Sequence, residues 1–209
     1  MKVSYLGPDG SYSSLASRAL VPGAELVPCK SFYEAAEKLK SGETHYAVLP
    51  VENTLQGAVT QNLDLLYANP GLYAVKEYLL KIEHRLIAKN GARLSGIGRV
   101  FSHQQAILQC GRFLAENLSG AQVVYTDSTA EGVSHVENMT DAAGFSFLTG
   151  NIADEKKNYT HFLLVANGEG ELPAHSSRIY FAATCPHEPG ALLKMLQILA
   201  AFGFNMTKI

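Results

Sequence analysis

The chain has 209 residues, 47% hydrophobic and 17% charged: enough apolar material for a folded core and too little charge for disorder. A net charge of −2 and a pI near 6.4 provide no basic footprint for nucleic acid or an anionic membrane, so neither is expected as a partner. No apolar run reaches the ~18 residues of a membrane span and no basic-then-apolar leader is present, so a soluble, cytoplasmic protein is expected.

In chain order, short apolar runs read as strands at Lys2–Leu6, Ala24–Pro28, Tyr46–Val51, Tyr73–Tyr78, Arg99–Phe101, Gln122–Tyr125, Ala142–Phe147 and His161–Ala166. Helical stretches lie between them. Ser31 to Gly42 carries an N-cap serine, Glu34 at the capping-box position and a terminal glycine. Residues 104–118 place Ile107, Leu108, Phe113 and Leu114 on one stripe. Further helices are expected over 11–19, over 59–67 and from Glu131. The alternation predicts an α/β fold of parallel strands joined by right-handed crossovers, in which ligands gather at the carboxyl ends of strands.

Those strand ends share a chemistry. Gly7-Pro-Asp-Gly-Ser-Tyr-Ser follows the first, Glu52-Asn-Thr-Leu-Gln-Gly the third, Ser102-His103 the strand at Arg99, and Asp127-Ser-Thr-Ala the strand at Gln122. Each alone is an ordinary N-cap contributing about 1 kcal/mol. Together they converge hydroxyls and free N–H groups on one side of a sheet, a site for a small carboxylate or phosphate. There is no GxGxxG after a strand, no GxxxxGK[ST], no HExxH and no GxSxG, so nucleotide binding and metal hydrolysis lose their support. Cys29, Cys110 and Cys185 lack ligand spacing and read as reduced thiols; no metal and no cofactor are expected.

Six segments resemble the prephenate dehydratases, in that family's order: Gly7-Pro-Asp-Gly-Ser-Tyr-Ser, Pro50-Val-Glu-Asn-Thr-Leu-Gln-Gly-Ala-Val, Asp64-Leu-Leu, Ser102-His-Gln-Gln-Ala-Ile-Leu-Gln-Cys, Asp127-Ser-Thr-Ala and Asn158-Tyr-Thr-His-Phe. The resemblance implies a two-lobed α/β catalytic region over 1–167, like the type II periplasmic binding proteins. The first lobe would take about 1–75 and 160–167, the second about 76–159. The implied activity is decarboxylating dehydration of prephenate to phenylpyruvate in phenylalanine biosynthesis, or the arogenate counterpart. Thr160 is the implied catalytic hydroxyl, polarising the leaving oxygen. Ser11, Glu52, Asn53, Thr54, Gly57, Ser102, His103, Ser128, Thr129, His161 and Phe162 are the implied substrate-binding residues.

Three departures from the family pattern stand out. His161 occupies the place of the arginine in Thr-Arg-Phe; it is either a weakened anion binder or a strand residue facing away from substrate. Gln104 replaces a proline at a helix start, a mild change. Between Ala142-Ala143 and Asn151-Ile152 a helix of the family is missing, replaced by Gly-Phe-Ser-Phe-Leu-Thr-Gly.

A second unit is expected after a Gly- and Glu-rich linker over 168–176. Residues 177–209 are similar to the start of an ACT regulatory domain, an incomplete α+β (ferredoxin-like) unit: a strand over Ser177–Cys185, an amphipathic helix and a second strand from Asn205. Pro189, Gly190, Ala191 and Leu192 would then contact an amino-acid effector, L-phenylalanine. So short a unit buries too little surface to stand alone, so pairing with another chain is expected; the resemblance implies a homodimer or homotetramer.

Other residues carry bland readings beside the functional ones. His45, His84, His135, His175 and His187 are scattered and read as surface or core fillers. Glu52 is an acid or base if buried, or a carboxylate holding a backbone N–H. Tyr12 and Tyr159 stack on a ring or fill the lobe interface. The competing function is a cleft that binds a small carboxylate and closes on it without chemistry.

Overall fold

The computed structural model describes residues 1–137, 145–168, 178–181 and 183–206, which divide into a unit over Met1–Ala174 and another over His175–Ile209. The first unit is built on β1 (Lys2–Leu6), whose Val3, Ser4 and Tyr5 are all buried. Burial on both faces marks a central strand. It pairs in parallel with β2 (Glu25–Cys29) and with β3 (Tyr46–Asn53). The polar member, Ser4, is satisfied by donating to the Ala35 carbonyl at 2.8 Å.

The sheet continues through β10 (Tyr159–Asn167) to β5 (Leu72–Lys81), in the order β2-β1-β3-β10-β5; the two-residue β4 (Gly57–Ala58) folds back on the end of β3. Here the expected all-parallel sheet is corrected. Strand β10 runs antiparallel to both β3 and β5. It returns to this sheet only after the second lobe has been built, so no helical crossover dictates its direction. Strand β5 also stays in the first sheet to Lys81, beyond the expected boundary near residue 75.

Period-2 alternation sends the strands' side chains to two cores. Leu49, Val51, Leu163 and Val165 pack with Ala36 and Leu39 of α2 (Phe32–Lys40), and with Leu65 and Leu66 of α3 (Thr60–Ala68). Val3, Tyr5, Val48, Phe162 and Leu164 pack with Ala16 and Leu20 of α1 (Tyr12–Leu20) on the other face. Ser11 and Ser31 cap α1 and α2, accepting the Ser14 and Glu34 N–H groups at 3.2 and 3.0 Å.

Among its described residues the second lobe has two two-stranded sheets: β6 (Arg85–Lys89) antiparallel to β9 (Phe145–Asn151), and β7 (Arg99–Ser102) parallel to β8 (Gln122–Tyr125). Strand β6 was not among the expected strands. The single helix expected over 104–118 is two, α4 (Gln104–Leu108) and α5 (Gly111–Asn117). Asp154 explains the break: its N–H donates to the Gln109 carbonyl at 2.8 Å, and its carboxylate accepts the Arg112 N–H at 3.2 Å, opening a fresh helix start. Helix α6 (Thr129–Glu137) lies so close to β7 that a Cβ at Gly132 would meet the Phe101 carbonyl oxygen at 2.6 Å. The expected strand at Ala142–Phe147 begins, as β9, at Phe145. The start of that expectation and the implied missing helix lie outside the described residues.

In the second unit α7 (Ala191–Ala201) forms as expected, entered from Gly190 at φ +82°, a left-handed conformation that glycine adopts without strain. The expected strand over Ser177–Cys185 is not formed, since the described residues 178–181 and 183–185 have no regular structure. A strand exists only through a hydrogen-bonded partner, and no such partner appears among this unit's described residues. Asn205 and Met206 are likewise irregular, the rest of the expected second strand lying outside the described residues, as does most of the linker.

Candidate functional site

The carboxyl ends of the first-lobe strands and the helix starts of the second lobe enclose a cleft of about 990 Å³. Ser11, Asn53, Gly57, His103, Ser128, Thr129, Thr160 and Phe162 all line it, so residues as far apart in sequence as Ser11 and Phe162 are brought together. Gly57 sits at φ +79°, the turn that sends β4 back along β3 and keeps Asn53 facing the cleft. Four of the anticipated residues are not in the lining: Glu52, Thr54, Ser102 and His161.

Strand geometry accounts for this correction. Glu52 and His161 are register partners, as are Asn53 and Thr160, and neighbours along a strand face opposite ways. Asn53 and Thr160 take the cleft face. His161 turns away to Glu77 on β5, its Nε2 lying 3.0 Å from a Glu77 carboxylate oxygen. Thr54 is spent on structure, donating to the Lys157 carbonyl and accepting the Tyr159 N–H. Ser102 lies on a neighbouring cavity, lined by second-lobe residues together with Gly10, Tyr12 and Leu15 of the first lobe.

Several hydroxyls have their capacity committed. Ser11 Oγ donates to the Leu6 carbonyl at 3.2 Å while capping α1, and Ser128 Oγ accepts the Glu131 N–H at 3.0 Å as the cap of α6. His103 caps α4 in the same manner, Nδ1 accepting the Gln105 N–H at 3.3 Å. The single-residue reading as N-caps therefore holds for all three. What remains at the cleft is the set of helix starts they fix, whose first-turn N–H groups and positive dipole ends suit an anion. Lys30 is the one lysine or arginine lining the cleft among the described residues.

Thr160 has the most directed environment. The backbone N–H groups of Leu55 and Gln56 donate to Asn53 Oδ1 at 3.0 and 3.2 Å, which turns Asn53 Nδ2 toward Thr160 Oγ1 at 2.9 Å. With that proton received, the Thr160 hydroxyl has its own proton to give. Phe162 lies two residues on in β10 and adds an apolar wall.

His84, which reads as a filler in the sequence, also belongs here. His84, Gln109 and Asn158 line the cleft and bond to one another: His84 Nε2 is 2.7 Å from Gln109 Oε1, which accepts from Asn158 Nδ2 at 2.9 Å. No spacing signal links positions 84, 109 and 158; only Gln109 and Asn158 fall inside recognised segments. Tyr12 donates to the Glu83 carbonyl at 2.9 Å, and burial pushes its phenol up to about 12, so it stays protonated at neutral pH. Burial likewise pushes the Cys110 thiol up to about 11, with the Asp154 carboxylate adding to the effect. Among the described residues no cluster of His, Cys, Asp or Glu has the makings of a metal site.

Comparison with known proteins places these features in context. The family model for prephenate dehydratase matches residues 3–170. A bifunctional chorismate mutase/prephenate dehydratase of Neisseria gonorrhoeae is 31% identical over 222 residues, covering 100% of this chain and 61% of that protein. An arogenate dehydratase/prephenate dehydratase of Arabidopsis thaliana is 33% identical over 225 residues, 100% of this chain and 58% of its own length. The chain thus spans about three fifths of the length of these two relatives. The crystal structure of prephenate dehydratase from Arthrobacter aurescens in complex with L-Phe superposes with a TM-score of 0.85 at 28% identity, over 100% of this chain and 75% of that one.

Proposed function

Because the chain belongs to the prephenate dehydratase family, we propose that its cleft converts prephenate to phenylpyruvate. The observation that carries this reading is the Thr160 hydroxyl, polarised by Asn53 and aimed from a strand end into a cleft ringed by helix starts. Prephenate carries two carboxylates and a ring hydroxyl. The bond to the ring carboxylate breaks, its electron pair enters the ring, and the carbon–oxygen bond on the far side breaks as hydroxide departs. Carbon dioxide and, after proton uptake, water are released, and the ring becomes aromatic.

The protein's part is to hold the dianion in one orientation and to lower the cost of the leaving hydroxide. The starts of α1 and α6, with Lys30 at the rim, suit the first task. Thr160 suits the second, hydrogen-bonding the departing oxygen as charge develops there. Phe162 closes the ring's apolar side.

The Arabidopsis relative named for both activities supports a second substrate, arogenate, in which an amino group replaces the side-chain keto oxygen. In the same vein, the L-Phe complex of the Arthrobacter protein supports the Pro189 to Leu192 segment, at the start of α7, as part of an effector site for phenylalanine. Phenylpyruvate formation, followed by absorbance against a control without enzyme, tests the main reading. Turnover above the control is the expected result. Binding of prephenate without turnover would replace the enzyme with a carboxylate-binding protein.

A further inference from the structure

We propose that His84 is a positioning residue for the Thr160 hydroxyl, acting through a one-way chain of amides. The inference deepens the reading of the cleft given above and rests on it. Its members come from four separate segments: Asn53 ends β3, Asn158 precedes β10, Gln109 sits in the break between α4 and α5, and His84 lies between β5 and β6.

The chain has only one polarity. A backbone N–H can only donate, and two of them, from Leu55 and Gln56, point at one end of the Asn53 amide, so that end is the oxygen. Asn53 Nδ2 therefore faces the other way, donating to Asn158 Oδ1 at 2.8 Å and to Thr160 Oγ1 at 2.9 Å, with the Tyr159 carbonyl sharing at 3.1 Å. Asn158 then presents Nδ2 to Gln109 Oε1 at 2.9 Å. That oxygen is an acceptor, so His84 Nε2, 2.7 Å away, carries the proton. Turning any one amide over would set N–H against N–H or oxygen against oxygen. Asn53 and Asn158 are 8% and 0% exposed, so water cannot repair such a mismatch.

The chain fixes which way Thr160 gives its proton. Asn53 occupies an acceptor site on Oγ1, and the hydroxyl proton is left for the cleft. His84 closes the far end by saturating Gln109, and its own ring is held by Tyr12, which lies edge-on at a centroid distance of 6.1 Å. The Tyr12 hydroxyl oxygen is 3.4 Å from His84 Nδ1 but spends its proton on the Glu83 carbonyl, so it does not compete for the Nε2 end. Without His84, Gln109 is free to rotate, Asn158 loses its acceptor, and Asn53 no longer has a single orientation. His84 touches no reacting atom in this account; it acts on Thr160 from four hydrogen bonds away.

The test compares the parent with His84→Leu, which fills the ring's space without a donor, and His84→Gln, whose amide N–H can reach Gln109. With prephenate as substrate, His84→Leu is expected to lower kcat on the order of 100-fold, with KM within about threefold, since the loss is one of alignment. His84→Gln is expected to regain at least about tenfold of that loss. Unchanged kcat in His84→Leu, a raised KM at full kcat, or equal loss in both variants would overturn the proposal. If the parent turns over neither prephenate nor arogenate, the activity reading fails by itself. The hydrogen-bond chain is then read by nitrogen-15 NMR of histidine-labelled parent, as it is if His84→Leu does not fold. His84 protonated on Nε2, with that signature altered in Gln109→Leu, supports the chain; an unprotonated Nε2 overturns it.

Discussion

The two lobes of the first unit hold their cleft residues in different ways. In the first, β3 is buried continuously from Ala47 to Val51 and has helices on both faces, so Asn53 projects from the end of a rigid strand. In the second, Val123 and Tyr125 of β8 are 37% and 59% exposed, and among the described residues α4 buries only Ala106 and α5 none. The second lobe is fastened at its border by polar ties instead: Asp154 to the start of α5, and His84 and Asn158 to Gln109. One lobe is a packed scaffold, and the other is tied to it by hydrogen bonds, Asn53 donating to Asn158 Oδ1 at 2.8 Å and Tyr12 to the Glu83 carbonyl at 2.9 Å.

The sharpest use of that difference is to remove one hydroxyl from the scaffold's rim. Thr160→Val keeps the volume and the strand and deletes only the group aimed into the cleft. Turnover of prephenate is expected to fall at least ~100-fold with KM little changed, because the hydroxyl acts on charge that develops only in the transition state. An unchanged denaturant midpoint would confirm that the scaffold does not depend on it. Full turnover would remove Thr160 from the chemistry.

Core packing gives the next largest contrast. Leu163, 1% exposed between β3 and β5, is expected to cost about 2–5 kcal/mol when cut to alanine, by lost burial and the cavity left behind. Val123→Ala on β8 is expected to cost no more than about 0.5 kcal/mol. Urea unfolding of both variants reads the difference, and equal costs would mean that β8 is covered in a way its exposure does not show.

How much of this was legible beforehand follows from the range of each signal. The capping box at Ser31 and Glu34, the apolar run Tyr46–Val51 and the turn chemistry around Ser11 and Ser128 are local, and the helices and parallel strands they announce are present. The antiparallel return of β10 is a topological fact with no local marker. The α4–α5 break is set by Asp154, which meets Gln109 and Arg112 from more than forty residues away. His84 looked like a filler because its partners at 109 and 158 come together only through the fold. For Glu52 and His161 the motif was legible but the face was not, since a strand's pleat decides which neighbour meets the cleft.

Titration separates the packed interior from the exposed surface more gently. Burial raises the Cys110 thiol from 9.0 to about 11, so the folded chain holds that proton more tightly than the unfolded one. Above pH ~9 the unfolded state loses the proton first. Fewer protons bound in the unfolded state means stability falls as pH rises, so the loss is expected between pH ~9 and ~11 and absent below ~8. Tyr12, raised to about 12, extends the same trend upward. Cys110→Ala should flatten the first part of the fall, whereas Cys185→Ala, at an exposed position, should leave it intact. A fall unaffected by Cys110→Ala would assign it to other groups.

The smallest effect is expected where the family pattern is most visibly broken. His161 stands in place of an arginine, and a strand facing the cleft would make that a loss of anion binding. Its side chain instead lies 3.0 Å from Glu77, on the face opposite Thr160, and is 13% exposed. Arginine there would keep the partner and gain a second donor to the same carboxylate, without bringing charge into the cleft. His161→Arg is therefore expected to leave kcat and KM within about twofold at pH 7 and above, since surface and half-buried pairs contribute little. A clear gain in turnover above neutral pH would show that the residue reaches the substrate after all, and that lobe closure brings the far face of β10 to bear on the cleft.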